Sequence, residues 1–264
     1  MIFPDLAATV GNTPMVELAR MTAGLPGRVL AKLEMRNPCG SVKDRVAVAL
    51  IEDAERRGVL RPGMTLIEAT GGNTGIGLAF AAAIRQYRLI LTMPETMSAE
   101  RVALLRHLGA EIVLTPGILM TDAVARADAL VREIPQAIQL DQFRNPANPE
   151  IHRRTTAVEI WEDTGGEIDV FISAFGTGGT ITGVGEVLKR RTPQPDAWGR
   201  HQTDHRIRDA EARRKAEKSK SRRTNKAVGQ SAEHFDIRLP SGPGEQLSYR
   251  NVSFSFSSVF YVAD

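Results

Sequence analysis

Cysteine is nearly absent. Cys39 stands alone in 264 residues, so no internal disulfide framework exists, and the composition fits a reducing cytoplasm. Long apolar runs are missing too, which excludes a membrane-spanning helix. The opening MIFPDLAATVGNTP lacks a basic region followed by an apolar stretch and does not read as a signal peptide. There is no internal repeat of fixed period. Net charge is small, +3, but unevenly spread. Residues 1–190 carry 20 basic against 22 acidic side chains, and 191–264 carry 14 against 9, so the basic character belongs to the tail.

What is present is ordinary for a soluble globular chain, 42% apolar and 25% charged. Short apolar runs alternate with helical periodicity. Strands are expected at 28–34, 65–69, 88–93, 111–115, 137–140 and 169–175. Helices are expected at 42–57, 74–84, 98–109, 121–134, 148–165 and 180–190. Ser41 and Ser98 read as caps, Gly58 and Gly109 as stops. Such alternation implies an α/β fold with parallel sheets covered by helices. The pattern stops near residue 190. The stretch 191–230 is polar and basic with no apolar stripe, and LSYRNVSFSFSSVFYVAD alternates like a strand without a following helix.

Three features carry chemistry. In NPCGSVKDR (37–45), Lys43 falls in the first turn of a helix, where the helix dipole disfavours a protonated amine. A lysine that must attack a carbonyl as the neutral amine gains from that placement. EATGGNTGIGLA (68–79) and SAFGTGGTITGVG (173–185) are glycine-rich turns between strand and helix, able to bare N–H groups to an anion. Neither matches the dinucleotide fingerprint or the P-loop. Taken singly, each glycine turn is also explained by tight packing, and Lys43 with Asp44 and Arg45 by a surface ion-pair group. Together, an amine, a phosphate turn and an amide-bearing loop suggest pyridoxal phosphate.

Those residues also carry a resemblance. NPCGSVKDR, GNTPMVEL (11–18), ATGGNTGIGLA (69–79), DQFRNPANPE (141–150) and GTGGTITG (176–183) occur in one order from about residue 4 to 190. They resemble the cysteine synthase (O-acetylserine sulfhydrylase) branch of the fold-type-II pyridoxal-phosphate enzymes. Cystathionine β-synthase shares parts of the pattern. The resemblance implies a two-domain, tryptophan synthase β-like fold. Residues 1–145 would form the N-terminal domain, with strand 28–34 alternatively joining the other one. Residues 146–190 would form an incomplete C-terminal domain, and 191–264 an atypical basic tail.

It also implies roles. Lys43 matches the catalytic lysine that bonds the cofactor's aldehyde and later removes the substrate α-proton. Asn73 matches the asparagine that hydrogen-bonds the cofactor's ring oxygen. Gly176, Thr177, Gly178, Gly179 and Thr180 match the phosphate cradle. Thr70, Gly71, Gly72, Asn73 and Thr74, assisted by Gln142, match the loop that binds the substrate carboxylate. The implied reaction forms L-cysteine from O-acetyl-L-serine and sulfide in a cytoplasmic homodimer. Alternatives are a cystathionine β-synthase-like β-replacement, or a non-catalytic remnant with a basic tail.

Two departures stand against the family pattern. Gly71 occupies a position usually held by serine. No Ser-Ser-Gly turn introduces a helix near the C-terminus, so Ser241, Ser257 and Ser258 receive no role toward the pyridine nitrogen. The tail reads as a replaced or frameshifted C-terminus, leaving the strand at 169–175 uncovered, with weak cofactor retention and impaired turnover expected. Cys39 reads as a passive turn residue. His107 and His152 read as isolated surface or packing residues. His201 and His205 lack the glutamate of a zinc motif, so no metal site is expected. The basic run 200–226 has no aromatic interleaving, so it reads as solvated rather than as a nucleic-acid surface.

Overall fold

The computed structural model describes residues 2–24, 27–174, 176–191 and 259–263. All of them fall in one of the two units into which the chain divides; the other unit, 201–256, lies outside the described residues. The basic run, His201, His205 and Ser241 therefore lie outside them as well, as do Ser257 and Ser258.

Two four-stranded sheets form the frame. One contains β1 (Met15–Glu17) and β2 (Arg28–Lys32). After α1 (Lys43–Arg56) the chain builds the other: β3 (Thr65–Ala69), α2 (Asn73–Arg85), β4 (Arg88–Pro94), α3 (Ala99–His107), β5 (Glu111–Thr115), α4 (Met120–Glu133) and β6 (Ala137–Gln139). Its order is β5-β4-β3-β6, with every pairing parallel. Sequence-based bounds for these elements hold to within a few residues. Gly58, at φ +70°, ends the turn after α1 as expected.

Strand alternation explains the two cores of this sheet. Leu66, Leu89, Leu91 and Met93 pack with Val46, Leu50, Leu78 and Leu105 from α1, α2 and α3. Ile67, Ala69 and Ile90 point the other way, against Ala123, Ala127 and Leu130 of α4. Every residue of the central strand β3 is buried, Glu68 included. The substrate-type loop follows the C-terminal end of that strand, where parallel sheets place their sites.

The helix expected at 148–165 is a composite. It comprises α5 (Ala147–Ile151), a π-helical turn at His152–Thr156, and α6 (Ala157–Asp163). Beyond it lie β7 (Val170–Ile172) and α7 (Gly179–Arg191). Leu30, Ala157, Ile160, Phe171, Val184 and Leu188 form the core beneath the β1–β2 sheet.

Two expectations need correction. Strand β7 is not uncovered: β8 (Val259–Ala263) pairs with it and with β2, giving the order β1-β2-β8-β7. The pairings in this sheet are antiparallel, whereas a parallel arrangement is expected from the alternation. Local periodicity reports strands but not which distant strand fills the gap between two edges. Among the described residues no helix is long and apolar enough to cross a membrane, and no cluster of metal-ligating side chains occurs.

Candidate active site

Lys43 is the first residue of α1, and its N–H donates to Ser41 Oγ at 3.2 Å. Burial pushes its amine below the ordinary lysine value. No hydrogen bond or ion pair engages that amine among the described residues. Asp44, fully buried, accepts from the Cys39 N–H at 2.7 Å, and burial raises its carboxyl to about 6. The Cys39 thiol is pushed up to about 11 by burial and by Asp44, which suits a passive turn residue.

Arg45 is not a surface group. Its Nε and Nη2 donate to the two oxygens of Glu34, each at 2.8 Å, and Nη1 donates to Glu159 at 2.6 Å. Glu34 also accepts from Thr13 at 2.6 Å, while Lys32 pairs with Glu159 at 3.0 Å and Asp163 at 2.8 Å. This buried network anchors the first turn of α1 to β2 and α6. It holds Glu159 down at about 2, because the Arg45 and Lys32 bonds outweigh burial.

In the 70–74 loop, the Gly72 N–H meets Thr70 Oγ1 at 3.3 Å, and Asn73 opens α2. The Thr74 hydroxyl donates to Gln142 Oε1 at 2.6 Å, so the loop and the glutamine expected to assist it do meet. At Gly71 an added Cβ would lie 2.5 Å from Met97 Sδ and 2.9 Å from Met97 Cγ. Glu68, beneath the loop, accepts from the N–H groups of Asp141 at 3.1 Å and Gln142 at 3.4 Å. Burial nevertheless lifts its carboxyl to about 7.

The 176–178 turn leads into the thirteen-residue α7, with Gly178 at φ +79°. Thr177 Oγ1 accepts from Asn148 Nδ2 at 2.9 Å, and the same amide donates to the Gln142 carbonyl at 2.9 Å. Thr180 Oγ1 lies 3.2 Å from His152 Nε2, and the opposite ring nitrogen lies 2.9 Å from Thr156 Oγ1. His152 is fully buried and held down to about 3, by burial first and then by the charges of Arg45 and Lys43. The 70–74 loop, Gln142 and the 176–180 turn are thus linked through hydrogen bonds.

The sequence model of the family described as pyridoxal-phosphate dependent enzyme matches residues 6–242. The chain belongs to that family. It is 56% identical over 190 residues to cysteine synthase A of Salmonella typhi, covering 71% of this chain and 58% of that relative. Against cystathionine beta-synthase of Rattus norvegicus it is 51% identical over 198 residues, or 73% and 35% of the two chains. The crystal structure of cysteine synthase from Entamoeba histolytica superposes with a TM-score of 0.70 at 43% identity, covering 73% of this chain and 59% of that one. The chain therefore spans less than two thirds of the length of these relatives.

The residues present fit the family's cofactor. A desolvated, unpaired amine suits an aldehyde, and the amino end of α7 suits a phosphate dianion. The cradle needs glycine, since a Cβ on Gly179 would overlap the Asn148 amide, whose Oδ1 is buried without a partner. For a pyridoxal-phosphate enzyme, four residues here escape a motif search: Arg45 as a buried clamp, Glu68, Asn148 and His152. Two left signals. Glu68 is a lone carboxylate in an otherwise uncharged buried strand, and Asn148 and His152 are four apart on one helical face.

Proposed function

We propose that this chain is a pyridoxal-phosphate β-replacement enzyme that forms L-cysteine from O-acetyl-L-serine and sulfide. The observation that carries the reading is the Lys43 amine, desolvated and unpaired among the described residues at the head of α1. Identity of 56% to a cysteine synthase over 190 residues supports it.

In this reading Gly176, Thr177, Gly178, Gly179 and Thr180 hold the phosphate with backbone N–H groups, hydroxyls and the α7 dipole. Asn73 hydrogen-bonds the ring oxygen. When bound, pyridoxal phosphate supplies an electron sink next to the substrate α-carbon. The amides and hydroxyls of Thr70, Gly71, Gly72, Asn73 and Thr74, with Gln142, fix the substrate carboxylate. Neutral Lys43 takes the α-proton at Nζ; a protonated amine has no lone pair for that step, so its lowered pKa serves the chemistry. Acetate then leaves the β-carbon and sulfide adds there. Residues 1–145 and 146–190 act as the two domains of this assignment, and the working form is a homodimer.

Borohydride reduction of the pyridoxal-phosphate-treated full chain, followed by peptide mapping, tests the reading. Label on Lys43, absent from Lys43→Ala, with cysteine formed from O-acetylserine and sulfide, is the expected result. Label elsewhere, or none, overturns it. A second reading, condensation of serine with homocysteine, is favoured by Gly71 and by the 51% identity to a cystathionine beta-synthase. Turnover with that pair and none with O-acetylserine plus sulfide would select it.

A further inference from the structure

We propose that Glu68 is a positioning residue for substrate-carboxylate recognition, clamping the backbone of the 140–142 corner and so holding the Gln142 amide against Thr74. The inference rests on the functional reading above and extends it to a residue that does not touch substrate.

Glu68 sits on the central strand β3, 3% exposed. A carboxylate there is costly unless it is paired. No Lys, Arg or His side chain pairs with it among the described residues. Its partners are backbone N–H groups of the corner, among them the successive ones of Asp141 at 3.1 Å and Gln142 at 3.4 Å, with Leu140 beside them. Asp141 has φ +49°, a conformation that residues other than glycine seldom adopt. That twist is what lets consecutive N–H groups converge on one anion. The hydrogen bonds between them therefore offset both the unfavourable backbone at Asp141 and the unfavourable burial at Glu68.

The corner has two downstream contacts. The Gln142 side-chain oxygen accepts from the Thr74 hydroxyl at 2.6 Å, which commits its amide N–H₂ to the opposite side. The Gln142 carbonyl accepts from Asn148, whose amide also donates to Thr177. Glu68 thus braces a residue bonded both to the 70–74 loop and, through Asn148, to the 176–180 turn. Loss of the clamp frees the corner to relax from its αL turn, and the Gln142 amide loses its aim. A carboxylate that served only stability would lower the melting point without changing which ligands bind.

The experiment uses the full chain loaded with pyridoxal phosphate, as wild type, Glu68→Gln and Glu68→Asp. Each is first checked for borohydride label on Lys43. L-serine and its decarboxylated analogue ethanolamine are then titrated by cofactor absorbance. At about pH 8.5, where the Glu68 carboxyl, lifted by burial to about 7, is ionised, Glu68→Gln is expected to weaken L-serine by about ten-fold, the scale of one hydrogen bond to a charged group, and to leave ethanolamine unchanged. In a Gln142→Ala background the same substitution is expected to add nothing. Unchanged L-serine affinity, or equal loss of both probes, overturns the proposal. If Glu68→Gln does not fold, Glu68→Asp, which retracts the charge by one methylene, must show the same selective loss; wild-type preference in it overturns the proposal too. Label away from Lys43 in the wild type overturns the functional reading and this inference together. Label on Lys43 with unaltered preference overturns this inference alone.

Discussion

Two glycines of α7, two residues apart, should respond to alanine with opposite signs. Gly183 faces α5 and the π-helical turn. A Cβ there would run into the Pro149 carbonyl oxygen, with His152 Cβ at 2.7 Å and Arg153 N at 3.2 Å. These are backbone and Cβ atoms, so no flexible side-chain end can swing aside. Gly185 has nothing within 4 Å of its added Cβ. Alanine in a helix interior is favoured over glycine by about 1 kcal/mol, so Gly185→Ala should gain up to that amount. At Gly183 the same gain is opposed by overpacking of about 1–3 kcal/mol or more. A net loss is expected, with α7 displaced from α5 and the Thr180–His152 and Thr177–Asn148 contacts opened. Urea unfolding by circular dichroism, with and without pyridoxal phosphate, measures both effects. Gly183→Ala should show the lower midpoint at unchanged slope and the smaller stabilisation by cofactor. A Gly183→Ala protein as stable as Gly185→Ala, with equal cofactor stabilisation, would refute the close-packing argument.

Two further outcomes follow from buried charge. Arg45→Met leaves the Glu34 carboxylate sealed with no cation, and a loss of about 3–5 kcal/mol is expected in the urea midpoint; a change below about 1 kcal/mol would mean that the network relaxes freely. The second concerns pH. His152 is held down to about 3, so the unfolded chain takes up a proton below about 6.5 that the native one refuses, and its contribution to stability falls with acidification. Glu68, raised to about 7, and Asp44, raised to about 6, act in reverse: the native state holds their protons longer, and stability falls as pH rises through the window from about 4 to about 7. From pH 7 to 5 these slopes oppose. His152→Gln removes one of them, so it should gain about 2 kcal/mol on the wild type over that interval, at about 1.4 kcal/mol per pH unit below 6.5. Parallel stability profiles would show that His152 does not carry the acid sensitivity.

Most of the parallel sheet was legible because each of its elements declares itself locally. TLIEA is apolar enough to be a buried strand, and the Val46, Ala49, Leu50, Ala54 stripe orients α1 without reference to distant residues. The placement of the glycine turns and Lys43 at helix ends was legible for the same reason, since helix ends have short-range signatures. Other features depended on partners far along the chain. Arg45 and Glu159 are 114 residues apart, and Glu68 meets Gln142 across 74. The residue types were visible, but whether a charge is a solvated surface group or a sealed clamp is decided by what folds against it. The antiparallel place of β8 belongs with these, since β2 and β7 create the gap that it fills.

The polar residues that motif reading overlooked share one physical task. The proposed chemistry needs Lys43 as a neutral amine, and burial favours that form, so it is served by keeping water from the first turn of α1. Sealing that turn buries Arg45, which needs Glu34 and Glu159 to balance its charge. A neutral His152 behind Thr180 adds no positive charge at that spot, so the cradle's attraction for an anion comes from N–H groups, hydroxyls and the α7 dipole instead. Those dipoles are set by the fold rather than by pH, so phosphate binding should not follow the titration of a nearby base. Glu68, beneath the 70–74 loop, likewise sets a buried carboxyl against backbone N–H groups and, among the described residues, no cation. Placing a carboxylate at His152 would therefore disturb the amine at position 43 through the field, even with every backbone atom in place.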